Sequence, residues 1–160
     1  MIMSLIAPGK KLPAIVLKTV GGGSLTLGTV KPNRWALYIA YRGLHCPLCN
    51  RYIAKYTERA AQLEKLKIDI SYFSMDPEDR ATESKEKWNI APPVAYGLTA
   101  DEARQLGLYL SDKREGSSET DVFSEPGFFL VNPEGNLHIV DVSNAPFSRP
   151  DVDSMLGGVE

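Results

Sequence analysis

A chain of 160 residues, 43% hydrophobic and 24% charged, has the composition of one globular domain, expected to run over residues 1–160. At this length a fold buries roughly two thirds of the unfolded chain's surface, so neither disulfides nor a metal is needed as a staple. Eighteen Lys and Arg against twenty Asp and Glu leave a net charge of -2, which argues against nucleic acid or an anionic membrane surface as a partner.

The start, MIMSLIAPGK, has no basic residue before its apolar stretch and no small-x-small cleavage pattern. It reads as no signal peptide, and the expected location is cytoplasmic. Ile15 to Thr19 and Ser24 to Leu27 flank a triple glycine and read as a hairpin or two short edge strands. Trp35 to Tyr41 is the longest apolar run; its seven residues are too few to span a bilayer and read as a buried central strand. From Pro47 to about Leu66, Tyr52, Ile53, Tyr56, Ala60, Leu63 and Leu66 fall three or four apart on one helix face. Ile68 to Phe73 is a second strand. A charged helix over Pro77 to Trp88 follows, with Asp76 expected as its N-cap and Pro77 as its first residue.

Ala100 to Leu106 reads as a short helix ended by Gly107, and Ser111 to Ser118 as a polar loop. Phe128 to Val131 and Leu137 to Val140 form a hairpin around Asn132-Pro133-Glu134-Gly135-Asn136. A last helix is expected from Pro150-Asp151 to Gly157-Gly158. Strands alternating with helices, then a hairpin, predict an α/β sheet that is parallel in part with an antiparallel edge.

The only two cysteines stand at 46 and 49, in Tyr41-Arg42-Gly43-Leu44-His45-Cys46-Pro47-Leu48-Cys49, where the central strand turns into the long helix. With Cys46 as N-cap and Pro47 at the first helical position, the Cys46 sulfur faces unpaired backbone N–H groups and the positive end of the helix dipole. Both favour the thiolate, the nucleophilic form. Cys49, one turn on, is within reach for a disulfide and is expected to be less exposed, with the higher pKa. Cys46 is therefore expected to attack and Cys49 to resolve. Arg42 and His45 sit nearby and can add positive charge; His45 can equally face solvent with no role in the chemistry.

Two blander readings compete. A structural zinc needs four ligands; the chain has two Cys and two His, and His138 lies in a distant strand, so no metal is expected. Two inert core cysteines are opposed by the proline that follows Cys46 at a strand-to-helix junction. Tyr38, Tyr41, Tyr52 and Tyr56 read as packing residues, with Tyr41 a candidate for lining the groove beside Cys46.

The YRGLHCPLC turn and the later SEPGFFLVNPEGNL hairpin resemble the redoxin branch of the alkyl hydroperoxide reductase and thiol-specific antioxidant (peroxiredoxin-like) family, in the form that carries a C-P-x-C pair. The resemblance runs from about Ala7 through Leu156 and implies a thioredoxin-like fold, a central mixed sheet flanked by helices. It matches Cys46 to the attacking or peroxidatic cysteine. It matches Pro126 to the cis-proline that turns the backbone beside the cysteine, where a bound disulfide can pair with main-chain groups. The sequence departs from the peroxiredoxin pattern at Gly43, where a threonine is usual, at Ile39, where a proline is usual, and near Pro126, where an arginine is usual. Arg42 and Arg149 are the candidates to replace that arginine.

Three functions follow. The first is a thiol-disulfide oxidoreductase in which Cys46 attacks a protein or low-molecular-weight disulfide. The second is a thiol-dependent, antioxidant peroxidase in which Cys46 attacks a peroxide. The third is a redox-sensing or binding module without turnover. The site residues are Cys46, Cys49, Pro126, His45 and Arg42. No cofactor, no nucleic acid and no membrane partner are expected; a thiol reductant such as thioredoxin or glutathione is, and oligomerisation is left open.

Overall fold

In the computed structural model, which describes residues 6–160, the apolar run at Trp35–Ala40 is strand β3, at the heart of a seven-stranded mixed sheet. The other strands of that sheet are β1 (Val16–Thr19), β2 (Ser24–Thr26), β4 (Ile68–Phe73), β5 (Val94–Tyr96), β8 (Gly127–Val131) and β9 (Leu137–Val142), in the order β2-β1-β5-β4-β3-β8-β9. β3 pairs parallel with β4 and antiparallel with β8; β4 pairs parallel with β5. Two further strands, β6 (Leu110–Asp112) and β7 (Val122–Ser124), form a separate antiparallel ribbon. The helices are α1 (Pro47–Glu58), α2 (Ala60–Lys65), α3 (Glu78–Lys87), α4 (Ala100–Gln105) and α5 (Val152–Val159). This is the expected thioredoxin-like arrangement. No helix among the described residues is long and apolar enough to cross a membrane.

Alternation along β3 divides the core. Leu37 and Ile39 face Tyr52, Ile53 and Tyr56 of α1, with Leu63, Ala81, Met155 and Leu156 from α2, α3 and α5 in the same cluster. Ala36, Tyr38 and Ala40 face the other side, with Leu12, Ile15, Leu27 and, from α4, Ala103. Burying both faces of β3 explains its unbroken apolar run. At the end nearest the cysteines, Gly127 of β8 pairs with Ala40, and a Cβ there would collide with the Leu108 side chain and crowd the Phe129 ring.

Several expectations change. The helix after Pro47 breaks at Arg59, where Thr57 Oγ1 bonds back to the Ile53 carbonyl and the Arg59 guanidinium ties the Lys55 carbonyl to Asp153 of α5. α3 begins at Glu78 with Pro77 in the cap position, so Asp76 is not its N-cap; its carboxylate is drawn instead to the cysteine-bearing turn. α5 begins at Val152, with Asp151 capping it through the Ser154 N–H. The polar stretch from Ser111 opens inside β6, and β5 and β7 were not anticipated: at three residues each, these strands are too short to show a period.

Candidate active site

The turn from β3 to α1 is built around its sulfurs. Cys46 is the N-cap of α1 and Pro47 its first residue; the Cys46 Sγ accepts from the Cys49 N–H at 3.2 Å. Hydroxyl or carboxylate side chains usually do this work; here a thiol does it. The Cys49 sulfur accepts from the Arg42 main-chain N–H at 3.4 Å and from Arg149 Nη2 at 2.8 Å. Both cysteines are in the dithiol form; Cys46 is 1% exposed and Cys49 fully buried.

The two thiols divide their protons unequally. Cys46 is brought down to about 6, first by the hydrogen bond from the Cys49 thiol and then, against the cost of burial, by the nearby Arg42 guanidinium and the Cys49 N–H. Cys49 is pushed well up, first by burial and then by the negative sulfur of Cys46. At neutral pH the pair carries one negative charge, on the sulfur at the helix N-terminus.

Asp76 holds the turn from beneath. Its Oδ2 accepts the Leu44 N–H at 2.8 Å and its Oδ1 lies 3.4 Å from Arg80 Nε, with the carboxyl 1% exposed. Gly43, at φ +139°, passes so close that a Cβ there would stand 2.7 Å from Asp76 Oδ1. At Gly43, where the resemblance implies a threonine, the close approach of Asp76 leaves room only for glycine.

In front of Cys46 lies a cleft of about 570 Å³, lined by Arg42, His45, Cys46, Glu119, Phe123 and Glu125 among others. Arg42 is clamped in it: Nε is 3.0 Å from Glu125 Oε2, Nη2 is 3.9 Å from Glu119 Oε1, and the guanidinium lies 4.8 Å over the Phe123 ring. Ser111 donates to Glu125 at 2.9 Å. The Arg114 N–H at 2.8 Å, followed by its guanidinium, holds Glu119 down to about 2, so this acid stays ionised.

His45 does not supply the charge that its position suggests. Its ring packs edge-on against Phe123 at 4.7 Å, both nitrogens are buried without a partner, and burial followed by the charge of Arg42 lowers its pKa to about 4. It is neutral at pH 7. Pro126 is also corrected. All peptide bonds among the described residues are trans, so there is no cis-proline; the chain runs from β7 through Glu125 into β8, and that course aims the Glu125 carboxylate at Arg42. Pro126 lines a small cavity with Tyr52 and Arg149 rather than the cleft in front of Cys46.

The structure therefore joins Cys46, Cys49, Arg42 and His45 and sets Pro126 aside. It adds Glu119 and Glu125, and it adds Asp76, which the sequence had suggested only as a helix cap. Glu125, a charge at the entrance to an apolar strand, was the one readable signal. Of the two arginine candidates, Arg42 stands beside Cys46, whereas Arg149 reaches Cys49. Among the described residues no group of three or more His, Cys, Asp or Glu is arranged to hold a metal ion.

A family model described as the AhpC/TSA family matches residues 8–140. No curated protein sequence matches. Among solved structures, the reduced Prx3 of Vibrio vulnificus in complex with hydrogen peroxide superposes with a TM-score of 0.78 at 20% identity, covering 98% of this chain and 100% of that one. A peroxiredoxin-like protein from Aquifex aeolicus gives 0.77 at 20% identity, covering 96% and 86%. AhpC of Mycobacterium bovis gives 0.75 at 18% identity, covering 97% and 91%.

Proposed function

The chain belongs to the AhpC/TSA family and is an oxidoreductase, and on that premise we propose that it reduces small hydroperoxides, with Cys46 as the attacking and Cys49 as the resolving cysteine. One observation carries the choice of substrate: the Cys46 sulfur is a thiolate at a helix N-terminus, yet only 1% of the residue is exposed. A peroxide is small enough to enter the cleft of about 570 Å³ that Cys46 lines; a disulfide on a folded protein is not. The Vibrio vulnificus structure with hydrogen peroxide bound lends support from a chain of the same fold.

In the first step the Cys46 thiolate attacks one oxygen of ROOH. The S–O bond forms, the O–O bond breaks, and RO⁻ leaves and takes up a proton, so the peroxide is reduced by two electrons and Cys46 becomes a sulfenic acid. Arg42, held in place by Glu125 and Glu119, sets a fixed positive charge where negative charge develops on oxygen. In the second step Cys49 attacks the Cys46 sulfur, the S–O bond breaks, and hydroxide leaves with the Cys49 proton as water. Two equivalents of an external thiol, of the thioredoxin or glutathione class, then return the pair to the dithiol.

A second reading, exchange with a small disulfide, draws support from the spacing of the pair: the resolving thiol is one turn away, with its N–H on Cys46 Sγ. Stopped-flow mixing of the reduced protein with hydrogen peroxide, and separately with a small disulfide, decides between them. The proposal expects oxidation by peroxide far faster than that of a free thiol, loss of the reaction in Cys46→Ser, and a trapped sulfenic acid in Cys49→Ser. A peroxide rate no faster than that of a free thiol overturns it. Repeated turnover with a thiol donor separates either enzyme from a sensor that switches once.

A further inference from the structure

Arg149 lies 100 positions beyond Cys49, in the segment between β9 and α5, and its guanidinium is anchored on three sides. Nε donates to the Pro146 carbonyl at 2.7 Å, the group lies 5.1 Å over the Tyr52 ring, and Nη2 donates to Cys49 Sγ at 2.8 Å. Nη1 is buried with no hydrogen-bond partner. Among the described residues no carboxylate comes within 4.0 Å of this guanidinium. A half-buried cation with one nitrogen buried and unpartnered, and no carboxylate beside it, favours a negative charge nearby, and the ionisable group to which it donates a hydrogen bond is the Cys49 sulfur.

In the resting dithiol the negative charge sits on Cys46, and Cys49 donates its proton toward it. Arg149 thus donates to the sulfur of Cys49, while the Cys49 main-chain N–H donates to the sulfur of Cys46. Once Cys46 carries an oxygen or a substrate sulfur, its charge is gone. Of the groups that face Cys49, the Cys46 thiolate had opposed ionisation; the Arg149 cation and the Arg42 N–H remain, and both favour it. Tyr41 and Tyr52 also approach, and both stay protonated because burial pushes each of them up.

We propose that Arg149 is the positioning residue of the resolving step, its guanidinium receiving the negative charge on Cys49 as that sulfur attacks the oxidised Cys46. The inference rests on Cys46 as attacking and Cys49 as resolving cysteine, and holds whether the oxidant is a peroxide or a disulfide. With a disulfide RSSR, Cys46 forms a mixed disulfide and releases RS⁻. Cys49 then attacks the Cys46 sulfur, the bond to the substrate sulfur breaks, and the second RS⁻ leaves while the Cys49 proton passes to solvent.

Ellman's disulfide reagent separates the two steps on the whole reduced chain. The first thionitrobenzoate released reports attack by Cys46, and the second reports resolution by Cys49. In Arg149→Met the second release is expected to slow by roughly 10- to 100-fold, with its pH midpoint moved upward, while the first changes by less than about threefold. Arg149→Lys, which keeps the charge, restores most of the second rate. After one equivalent of peroxide, Arg149→Met accumulates a Cys46 sulfenic acid that dimedone traps, and the wild type does not.

Equal slowing of both releases, an unchanged second release, or equal behaviour of the Lys and Met variants overturns the proposal. If Arg149→Met does not fold, Arg149→Gln against Arg149→Lys makes the same comparison of charge at similar length. A wild type that releases both equivalents but ignores peroxide defeats the peroxide reading and leaves Arg149 in its role. A wild type with no second release defeats the assignment of Cys49 instead.

Discussion

Deleting the Cys49 thiol tests how Cys46 is kept ionised. In the folded dithiol Cys46 titrates at about 6, so close to nine tenths of it is thiolate at pH 7; an ordinary thiol near 8.5 would be about 3% ionised. The largest cause is the hydrogen bond from the Cys49 thiol, and a hydrogen bond to a charged group contributes roughly 1.5–3 kcal/mol. At about 1.4 kcal/mol per pKa unit, Cys49→Ala should raise Cys46 by about one to two units, into the range of about 7 to 8. The Cys49 N–H, the helix terminus and Arg42 all remain in that variant, so the full value of a free thiol is not regained. Cys49→Ser keeps a donor at the same place and should fall between the two. The rate of iodoacetamide alkylation against pH reads the midpoint directly, and circular dichroism confirms that each variant folds. A Cys49→Ala midpoint that stays at the wild-type value would show that the helix terminus and Arg42 suffice. A wild-type midpoint near 8.5 would refute the thiolate assignment altogether.

Four further outcomes follow from the same geometry. Cys46 titrates lower when folded than unfolded, so its contribution to stability is present above the unfolded thiol value and lost as pH falls through about 6; Cys49, shifted the other way, contributes below the unfolded value and loses it above. The reduced protein should therefore gain stability in urea from about pH 6 towards 8.5 and lose it beyond, and a flat profile would count against the unequal pair. Asp76→Ala leaves the Leu44 N–H without its carboxylate and should cost about 1.5–3 kcal/mol in urea unfolding, with slower Cys46 alkylation as the turn loosens; Gly43→Ala should be at least as harmful. Arg42→Met strands the buried Glu125 carboxylate, for roughly 3 kcal/mol of destabilisation, and raises the Cys46 alkylation midpoint. His45→Gln should leave that midpoint in place, because a neutral imidazole adds no charge to remove.

The cysteine motif was legible because its parts lie within one helical turn. A proline after the first cysteine, a strand before it and an amphipathic helix after it place Cys46 at the N-cap and Cys49 above it, and backbone geometry leaves little else to decide. The same local logic misled at Asp76 and His45. An aspartate before a proline has the signature of a helix cap, but Asp76 found a stronger demand in the turn packed against it. A histidine beside a cysteine suggests positive charge, but burial against Phe123 next to a clamped arginine removes it. Pro126 was matched to a family cis-proline by the resemblance alone, and its peptide is trans.

Two cysteines in a chain that can fold on its core alone pointed to chemistry rather than to stapling, and their place at a helix start set which sulfur is expected to attack and which to resolve. Sequence could also name Arg42 and Arg149 as candidate cations, since arginine is always charged. It could not assign them, because each assignment depends on partners brought in by the sheet: Glu119 and Glu125 for Arg42, and the far end of the chain for Arg149. The charge on a buried sulfur is the balance of desolvation against neighbours a few ångströms away, and only the tertiary structure sets those distances.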